Sequence, residues 1–272
     1  MKRIYLILLV SILSLQCLSA QGLRVVYEDV SNISKGRDVS KDFESVENPE
    51  VRAFLENKAK SPTVYTSELL VNKGVSLYAR KVQPKKEEPV SLGNEQTAAT
   101  IRPVRQVYGT SAIYKDYIDS IIVTQMDVGD KTYLLESPLP RQSRKWEISS
   151  EQATILGYTC IKATSTFGEA KKIGNIETKP QNIVAWYCPD IPIDAGPDIY
   201  SGLPGLILKL EVNDGVRVYN GISIEPLETE IQKLEEGEKV NSEEFLAILA
   251  GYNAKNRENV KQQGGKVIVI QR

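Results

Sequence analysis

The sequence predicts a mainly β fold of the α+β class: a strongly curved antiparallel sheet or half-open barrel with helices covering one face. Two observations support it. About ten short apolar stretches, separated by turn residues, recur along the chain. Helical spacing of apolar residues is confined to about residues 40–60 and 227–262. These helices must bury their apolar stripes, and one face of the sheet is the surface on which they can do so.

The predicted elements, taken in order, begin with a strand at 23–30 and a helix within 40–60 that starts at Asn48-Pro49. A hairpin of strands 64–71 and 75–82 follows, turning at Asn72-Lys73-Gly74. Residues 83–100 are polar and proline-containing, with little to bury, and predict an exposed mobile loop. Helices are predicted at 227–234 and from Ser242 onward. The remaining strands are predicted at 107–113, 117–126, 131–136, 146–148, 155–167, 182–188, 206–212, 216–224 and 266–270.

The first twenty residues have the layout of a secretory signal peptide. Residues 1–3 are a positive start, 4–15 an uncharged apolar run, and 18–20 a small-residue exit. The apolar run is too short to span a bilayer, which takes about 20 residues. We predict cleavage after Ala20 and export to the periplasm or outer cell envelope. The mature chain, 21–272, is expected to form one domain without a transmembrane segment, and a lipid anchor at Cys17 is the alternative.

Composition excludes several classes of function. The chain contains no histidine, which rules out Ser-His-Asp and Cys-His catalysis and zinc sites built on histidine. Its formal net charge of −1 gives no basic face for nucleic acid. We therefore predict no catalytic residue, no cofactor and no metal site. A hydrolase using two carboxylates remains an alternative, although the sequence nominates no particular pair of acids.

Two cysteines remain after signal removal, Cys160 and Cys188, and an exported chain with an even number favours a disulfide. Residues 155–167 and 182–188 are predicted to be two arms of one hairpin. Placing Cys160 opposite Cys188 puts the turn near Gly174-Asn175, where the residue types suit one, and sets Ala163 opposite Ala185. Two buried free thiols and a soft-metal site are the alternatives.

Residues 185–210 carry four prolines and three aspartates, and predict a rigid extended loop between two strands. Pro204-Gly205 suits the centre of a type II turn, in which glycine takes a positive φ. This segment is either a rigid strand crossover or a recognition surface. A calcium site at Asp190, Asp194 and Asp198 is a further alternative. The candidate recognition residues are Trp186, Pro192, Gly196, Pro197, Tyr200, Gly202, Leu203, Pro204, Gly205, Leu206 and Ile207.

Gly202-Leu203-Pro204-Gly205-Leu206-Ile207 resembles the hexapeptide after which the GLPGLI family is named. Residues 133–140, the Leu156-Gly157-Tyr158 strand and the proline-rich stretch from Pro189 resemble further parts of that family, over about residues 107–225. The resemblance implies an exported Bacteroidota protein of uncharacterised function, frequently encoded near outer-membrane transport components. It supplies no catalytic residues. By analogy of fold it also suggests the half-open barrels of periplasmic lipoprotein carriers.

Two functions are expected from these observations. The first is an exported envelope protein that binds an apolar or acyl ligand between sheet and helices, and it predicts a sizeable apolar cavity. The second is an accessory or assembly factor that docks onto an outer-membrane or surface protein. It predicts a filled core and an exposed apolar patch near residues 197–206.

Overall fold

The computed structural model describes the strands and helices of most of the chain. The described residues are 22–32, 34–44, 46, 48–81, 90–92, 99–103, 108–139, 145–168, 171–173, 176–262 and 269–270. The predicted signal peptide and Cys17 lie outside them. Among the described residues, no helix has both the length and the apolarity needed to cross a membrane.

Seventeen strands, two α-helices and a short 3₁₀ helix at Ser40–Phe43 make up the described structure. The helices are α1 (Pro49–Lys60) and α2 (Ser242–Gln262). The strands are β1 (Gly22–Ser31), β2 (Thr63–Asn72), β3 (Val75–Lys81), β4 (Val90–Leu92), β5 (Ala99–Pro103), β6 (Tyr108–Asp116), β7 (Ile121–Val128), β8 (Lys131–Pro138), β9 (Glu147–Ile155), β10 (Tyr158–Phe167), β11 (Lys171–Ile173), β12 (Ile176–Thr178), β13 (Gln181–Cys188), β14 (Leu206–Val212), β15 (Arg217–Leu227), β16 (Glu238–Lys239) and β17 (Val269–Ile270).

Twelve of these strands form one open sheet in the order β16-β8-β7-β6-β3-β2-β1-β15-β14-β13-β10-β9. Its pairings are antiparallel except for the contact between β16 and β8, which is parallel. The predicted β-rich, antiparallel architecture is confirmed. The sheet is not closed, since β16 and β9 are its two edges. The finer prediction of a half-barrel like that of lipoprotein carriers stays a prediction.

Local sequence signals set several of these elements. Asn48 caps α1 as predicted, because its side-chain oxygen accepts hydrogen bonds from the backbone N–H groups of Glu50 and Val51. The β2–β3 hairpin turns through Lys73 and Gly74, both with positive φ (47° and 81°). Turns of this kind suit the right-handed twist of the two strands they connect.

The predicted arms around the cysteines pair as expected. Strand β10 runs antiparallel to β13 with Ala163 opposite Ala185, which is the predicted register. Strand β9 precedes β10 and pairs with its other edge. It has nine residues and is therefore much longer than the strand predicted at 146–148.

Three sequence predictions are corrected by the structure. The predicted loop at 83–100 contains the short strand β4 and the start of β5, while its remaining residues lie outside the described ones. The expected strand at 117–126 starts only at Ile121, after a four-residue turn. The predicted helix at 227–234 is replaced by extended chain that runs from β15 to β16, and helix begins at Ser242.

The C-terminal part of the chain wraps around one edge of the sheet. Leu77, Tyr114 and Val123 are opposed across neighbouring strands, so they share a face, and Ile231 and Leu234 pack against that cluster. Helix α2 packs on the opposite face, where its apolar residues contact the other side of β7 and β8. The residues of this second cluster are Val128, Tyr133 and Phe245, with Met126, Leu135, Val240, Ile248, Leu249 and Tyr252 around them.

Candidate functional site

Residues 189–205, here called the capping loop, connect β13 to β14 and lie against the main core. The backbone N–H of Leu206 donates to the carbonyl of Ile191 at 3.0 Å, and that of Ile207 donates to Ala195 at 3.0 Å. Tyr27 of β1 donates its hydroxyl to the carbonyl of Ile207 at 2.6 Å. Hydrogen bonds therefore hold the loop to the start of β14, and β14 is in turn hydrogen-bonded to β1.

The two glycines of the hexapeptide have different structural roles. Gly202 has a positive φ of 97°. Gly205 lacks the positive φ that a type II turn would need, so that expectation is wrong. Instead, a Cβ at position 205 would lie 2.7 Å from the carbonyl carbon of Cys188 and closer still to its oxygen. Because backbone cannot yield as a flexible side chain can, only glycine allows this close approach.

Most of the candidate recognition residues are buried. Leu203, Leu206 and Ile207 are each at most 2% exposed, and Tyr200 is 5% exposed. Gly196, Pro197 and Gly205 are also buried, Trp186 and Gly202 are half-buried, and only Pro192 and Pro204 are exposed. An exposed apolar patch at 197–206 is therefore not observed, and the geometry favours the rigid crossover over a recognition surface.

The loop's carboxylates are used to hold the loop. Asp194 accepts a hydrogen bond from the backbone N–H of Gly202. Asp198 accepts one from the Tyr219 hydroxyl at 2.7 Å and lies 3.4 Å from a guanidinium nitrogen of Arg217. Both carboxylates thus face donors of the protein itself, and the described residues hold no cluster of three or more acids, cysteines or histidines around a common point.

A group of ionisable side chains lies under the capping loop, and we call Asp29, Tyr78, Asp198, Arg217 and Tyr219 the tyrosine–aspartate cluster. The Tyr78 hydroxyl donates to Asp29 at 2.8 Å, and the rings of Tyr78 and Tyr219 meet edge to face at 6.4 Å. Asp29 and Tyr219 are also opposed in the β1–β15 pairing. Strands β1, β3 and β15 and the capping loop thus all contribute.

Asp29 is the unusual member of this cluster. Its side chain is only 4% exposed, and one carboxylate oxygen, Oδ1, has no hydrogen-bond partner among the described residues. Burial raises the pKa of Asp29 to about 6, against the opposing effects of the Tyr78 hydrogen bond and of the charges of Arg80 and Arg217, and the charge of Asp198 raises it further. Burial likewise raises the pKa of Tyr219, with Asp198 as the next cause.

The two cysteines are fully buried free thiols. The predicted disulfide is not formed in this structure, although the predicted register is present. Burial raises the pKa of Cys160 to about 12, with a further contribution from Cys188. Both thiols are therefore neutral and shielded near pH 7.

A depression of about 580 Å³ opens at the end of the β7–β8 hairpin. Ile118 in the preceding turn is 75% exposed, the largest such value among the exposed apolar side chains described. Glu136 on the rim is paired with Lys233 at 2.9 Å. The residues that line the depression, here called the hairpin-end depression, are Asp119, Ser120, Ile121, Glu136, Ser137, Pro138 and Leu139.

The sequence analysis identified neither Asp29 nor the hairpin-end depression. Asp29 had a signal: it continues the alternation of Leu23, Val25 and Tyr27, so it falls on the core face of its strand. The hairpin-end depression had none, since its two sides are separated along the chain and are brought together by strand pairing, with Ile121 opposite Pro138.

Comparisons with known proteins were consistent with this fold. A model of a family described as a protein of unknown function (Porph_ging) matches residues 146–209, which run from just before β9 through the hexapeptide. No curated protein matches.

Among solved structures, PNGF-II in the P21 space group is similar with a TM-score of 0.51 and 13% identity. The alignment covers 86% of this chain and 34% of that one. PNGF-II in the C2 space group gives a TM-score of 0.52, 13% identity and coverages of 86% and 33%. The chain therefore spans about a third of the length of the solved chains it matches, and at this identity the likeness is one of fold.

Residues 146–209 are thus similar to an uncharacterised family named for Porphyromonas gingivalis, and most of the chain has the fold of a part of larger proteins.

Proposed function

We propose that this protein is a non-enzymatic cell-envelope binding module, exported by its signal peptide, that docks a cationic and partly apolar segment of a partner protein into the hairpin-end depression. The observation that carries the proposal is the exposure of Ile118, which is 75% exposed and directly precedes Asp119, the first lining residue of a depression that contains two carboxylates. A solvated apolar side chain next to a concave, charged rim is typical of contact surfaces between proteins.

The charges around the depression favour a cation. Asp116 uses its carboxylate to accept the backbone N–H groups of Ile118 and Asp119, so it holds the turn rather than a ligand. Glu136 is paired with Lys233. Asp119 makes no ion pair within the described part of the chain, and a lysine or arginine of a partner would supply one. Ile121, Pro138 and Leu139 offer apolar lining beside it.

The neighbouring geometry supports a protein partner over an acyl chain. A long apolar ligand would need the face of the sheet next to Tyr78 and Tyr219, and the capping loop already fills that face with Tyr200, Leu203 and Ile191. The fold also makes up about a third of the larger chains it matches, which suits a module that works against other protein surfaces.

An apolar or acyl ligand held in the hairpin-end depression is the second candidate. The volume of the hairpin-end depression is about 580 Å³, and a volume of that order is usual for small-molecule sites. This reading requires a ligand that tolerates the carboxylates at the rim.

The experiment is site-directed photo-crosslinking in the cell envelope. A photoreactive amino acid at position 118 should give one defined protein adduct. The same probe at Val64, which is 55% exposed on β2, should not. The adduct should fade when Asp119→Asn and Glu136→Gln are combined. Equal adducts at both probe positions, or no protein adduct at position 118, would overturn the proposal. Co-purification of a lipid-sized mass in native mass spectrometry would favour the second candidate instead.

A further inference from the structure

We propose that Asp29 is a proton-operated latch that sets how firmly the capping loop is held on the sheet, with acid tightening the contact. The inference is independent of the proposed function. It rests on the geometry of the tyrosine–aspartate cluster, in which Asp29 of β1 and Asp198 of the loop accept hydrogen bonds from Tyr78 and Tyr219, whose rings meet edge to face.

The loop reaches the cluster through Asp198. Its Oδ2 accepts from the Tyr219 hydroxyl at 2.7 Å and lies 3.4 Å from Arg217 Nη1, and Arg217 is itself 3.2 Å from the Tyr219 hydroxyl. Tyr200 of the loop adds an edge-to-face ring contact with Tyr219 at 6.1 Å. Asp198 also has a positive φ of 56°. Aspartate adopts this conformation more readily than most residues, and here the backbone N–H of Ile199 donates to Asp198 Oδ1 at 2.8 Å, which helps to fix where the carboxylate lies.

Asp29 faces charged or titratable groups from every element packed around it. Strand β2 contributes Tyr65, which is opposed to Asp29 in the pairing, while its Ser67 contacts the hydroxyl of Tyr78. Strand β3 contributes Tyr78 and Arg80, and β15 contributes Arg217 and Tyr219. The capping loop contributes Asp198, whose charge acts on Asp29.

The direction of the effect follows from the two like charges. Ionised Asp29 repels Asp198 and competes with it for the positive charge of Arg217. Protonation of Asp29 removes both effects, so the contacts of Asp198 with Arg217 and Tyr219 become stronger. The same coupling holds in reverse, since the charge of Asp198 raises the pKa of Asp29. Linkage requires that if seating Asp198 favours the proton on Asp29, the proton on Asp29 favours seating Asp198.

Hydrogen exchange at single amides measures this directly. Leu206 and Ile207 donate their backbone N–H groups to loop carbonyls, so their protection reports how firmly the loop is held. We expect their protection factors, relative to that of the core amide of Leu210, to fall about fivefold between pH 5 and pH 8, at the lower end of the coupling usual between linked sites.

Two variants separate a latch from a general stability effect. Asp29→Asn should keep the high relative protection at both pH values, and Asp198→Asn should give a low value that does not change with pH. Asp194→Asn is the matched control, because it removes another loop contact and should weaken protection while leaving the pH dependence intact. The proposal is overturned if Asp29→Asn retains the wild-type pH dependence, or if Leu210 changes in step with Leu206 and Ile207.

Discussion

The two halves of the sheet are covered by very different pieces of chain. The capping loop covers one half as an irregular, proline-stiffened segment packed without spare room. A Cβ at Gly205 would meet the carbonyl carbon of Cys188 at 2.7 Å, and one at Gly196 would meet Tyr200 and Ile207 at 2.8 Å. The C-terminal residues cover the other half with an extended crossing and an amphipathic helix. In that helix Gly251 has nothing within 4 Å of a built Cβ.

The family model matches residues 146–209, which include the capping loop and its close contacts at Gly196 and Gly205. An amphipathic cover needs only apolar residues at suitable spacing, so many sequences can supply it. The hairpin-end depression lies beside the C-terminal cover, so the binding surface proposed for this protein falls in the less restricted half.

The largest expected effect tests the packing at position 205. Strand β13 would have to move away from a new Cβ there. Gly205→Ala should therefore lower the free energy of unfolding by about 3 kcal/mol or more, as measured by urea denaturation. Gly251→Ala is the control and should stabilise by about 0.5–1 kcal/mol, since alanine favours helix and meets no neighbour. If the Gly205→Ala protein kept the urea midpoint of the wild type, the capping loop would be able to accommodate the added carbon, and the prediction would be wrong.

The next effect compares leucines from the two halves. Leu203 is 2% exposed, whereas Leu246 on α2 is 46% exposed. Leu203→Ala should cost about 3 kcal/mol, because removing the side chain leaves a cavity under the capping loop. Leu246→Ala should change the free energy of unfolding by no more than about 0.5 kcal/mol. If the two variants had similar denaturation midpoints, the half under the capping loop would not be more tightly packed than the half under the C-terminal residues.

Asp29 makes the stability of the half under the capping loop depend on pH. Its pKa is raised from 3.8 to about 6, so the unfolded carboxyl ionises before the folded one. The stability that the neutral group contributes is full below the unfolded pKa and is lost as the pH rises toward 6, by about 2–3 kcal/mol.

Asp29→Asn has no proton to lose. Its free energy of unfolding, minus that of the wild type, should therefore increase by about 2–3 kcal/mol between pH 4 and pH 7. Urea midpoints at several pH values would measure the difference, and carboxyls such as Glu68, whose pKa is lowered, cancel between the two proteins. A difference that stays flat or decreases would contradict the raised pKa of Asp29.

The smallest effect concerns the thiols. In native protein at pH 8, Cys160 and Cys188 should resist alkylation because they are buried and, for Cys160, because the pKa is about 12. After unfolding without reductant, both should react, and mass spectrometry would count two added groups. A native mass lower by two hydrogens, with no alkylation after unfolding, would instead restore the disulfide predicted from the sequence.

Much of the fold could be predicted because its signals are local. The Asn48-Pro49 cap starts α1, and the Lys73-Gly74 turn closes the first hairpin. In each case a few neighbouring residues restrict the backbone or define which face is apolar, and distant contacts only reinforce that choice.

The failures came where distant contacts outweighed local preference. Residues 227–234 have helical spacing, yet Ile231 and Leu234 pack against the face of β6–β8 as extended chain. Tertiary packing of this kind routinely outweighs helix propensity. The burial of most of the hexapeptide likewise had no local signal, since its proline and glycines are turn residues.

The sequence by itself determined the β-rich class, the main hairpins and the absence of histidine chemistry, since these depend on composition, alternation and turn residues. Only the tertiary structure decided three features. Gly205 must clear the backbone of Cys188, Asp29 and Asp198 accept hydrogen bonds from two tyrosines whose rings meet, and the start of β7 and the end of β8 border a depression. The reason is physical: each of these features joins residues that are separated along the chain, and their meeting depends on strand order, which local patterns do not specify.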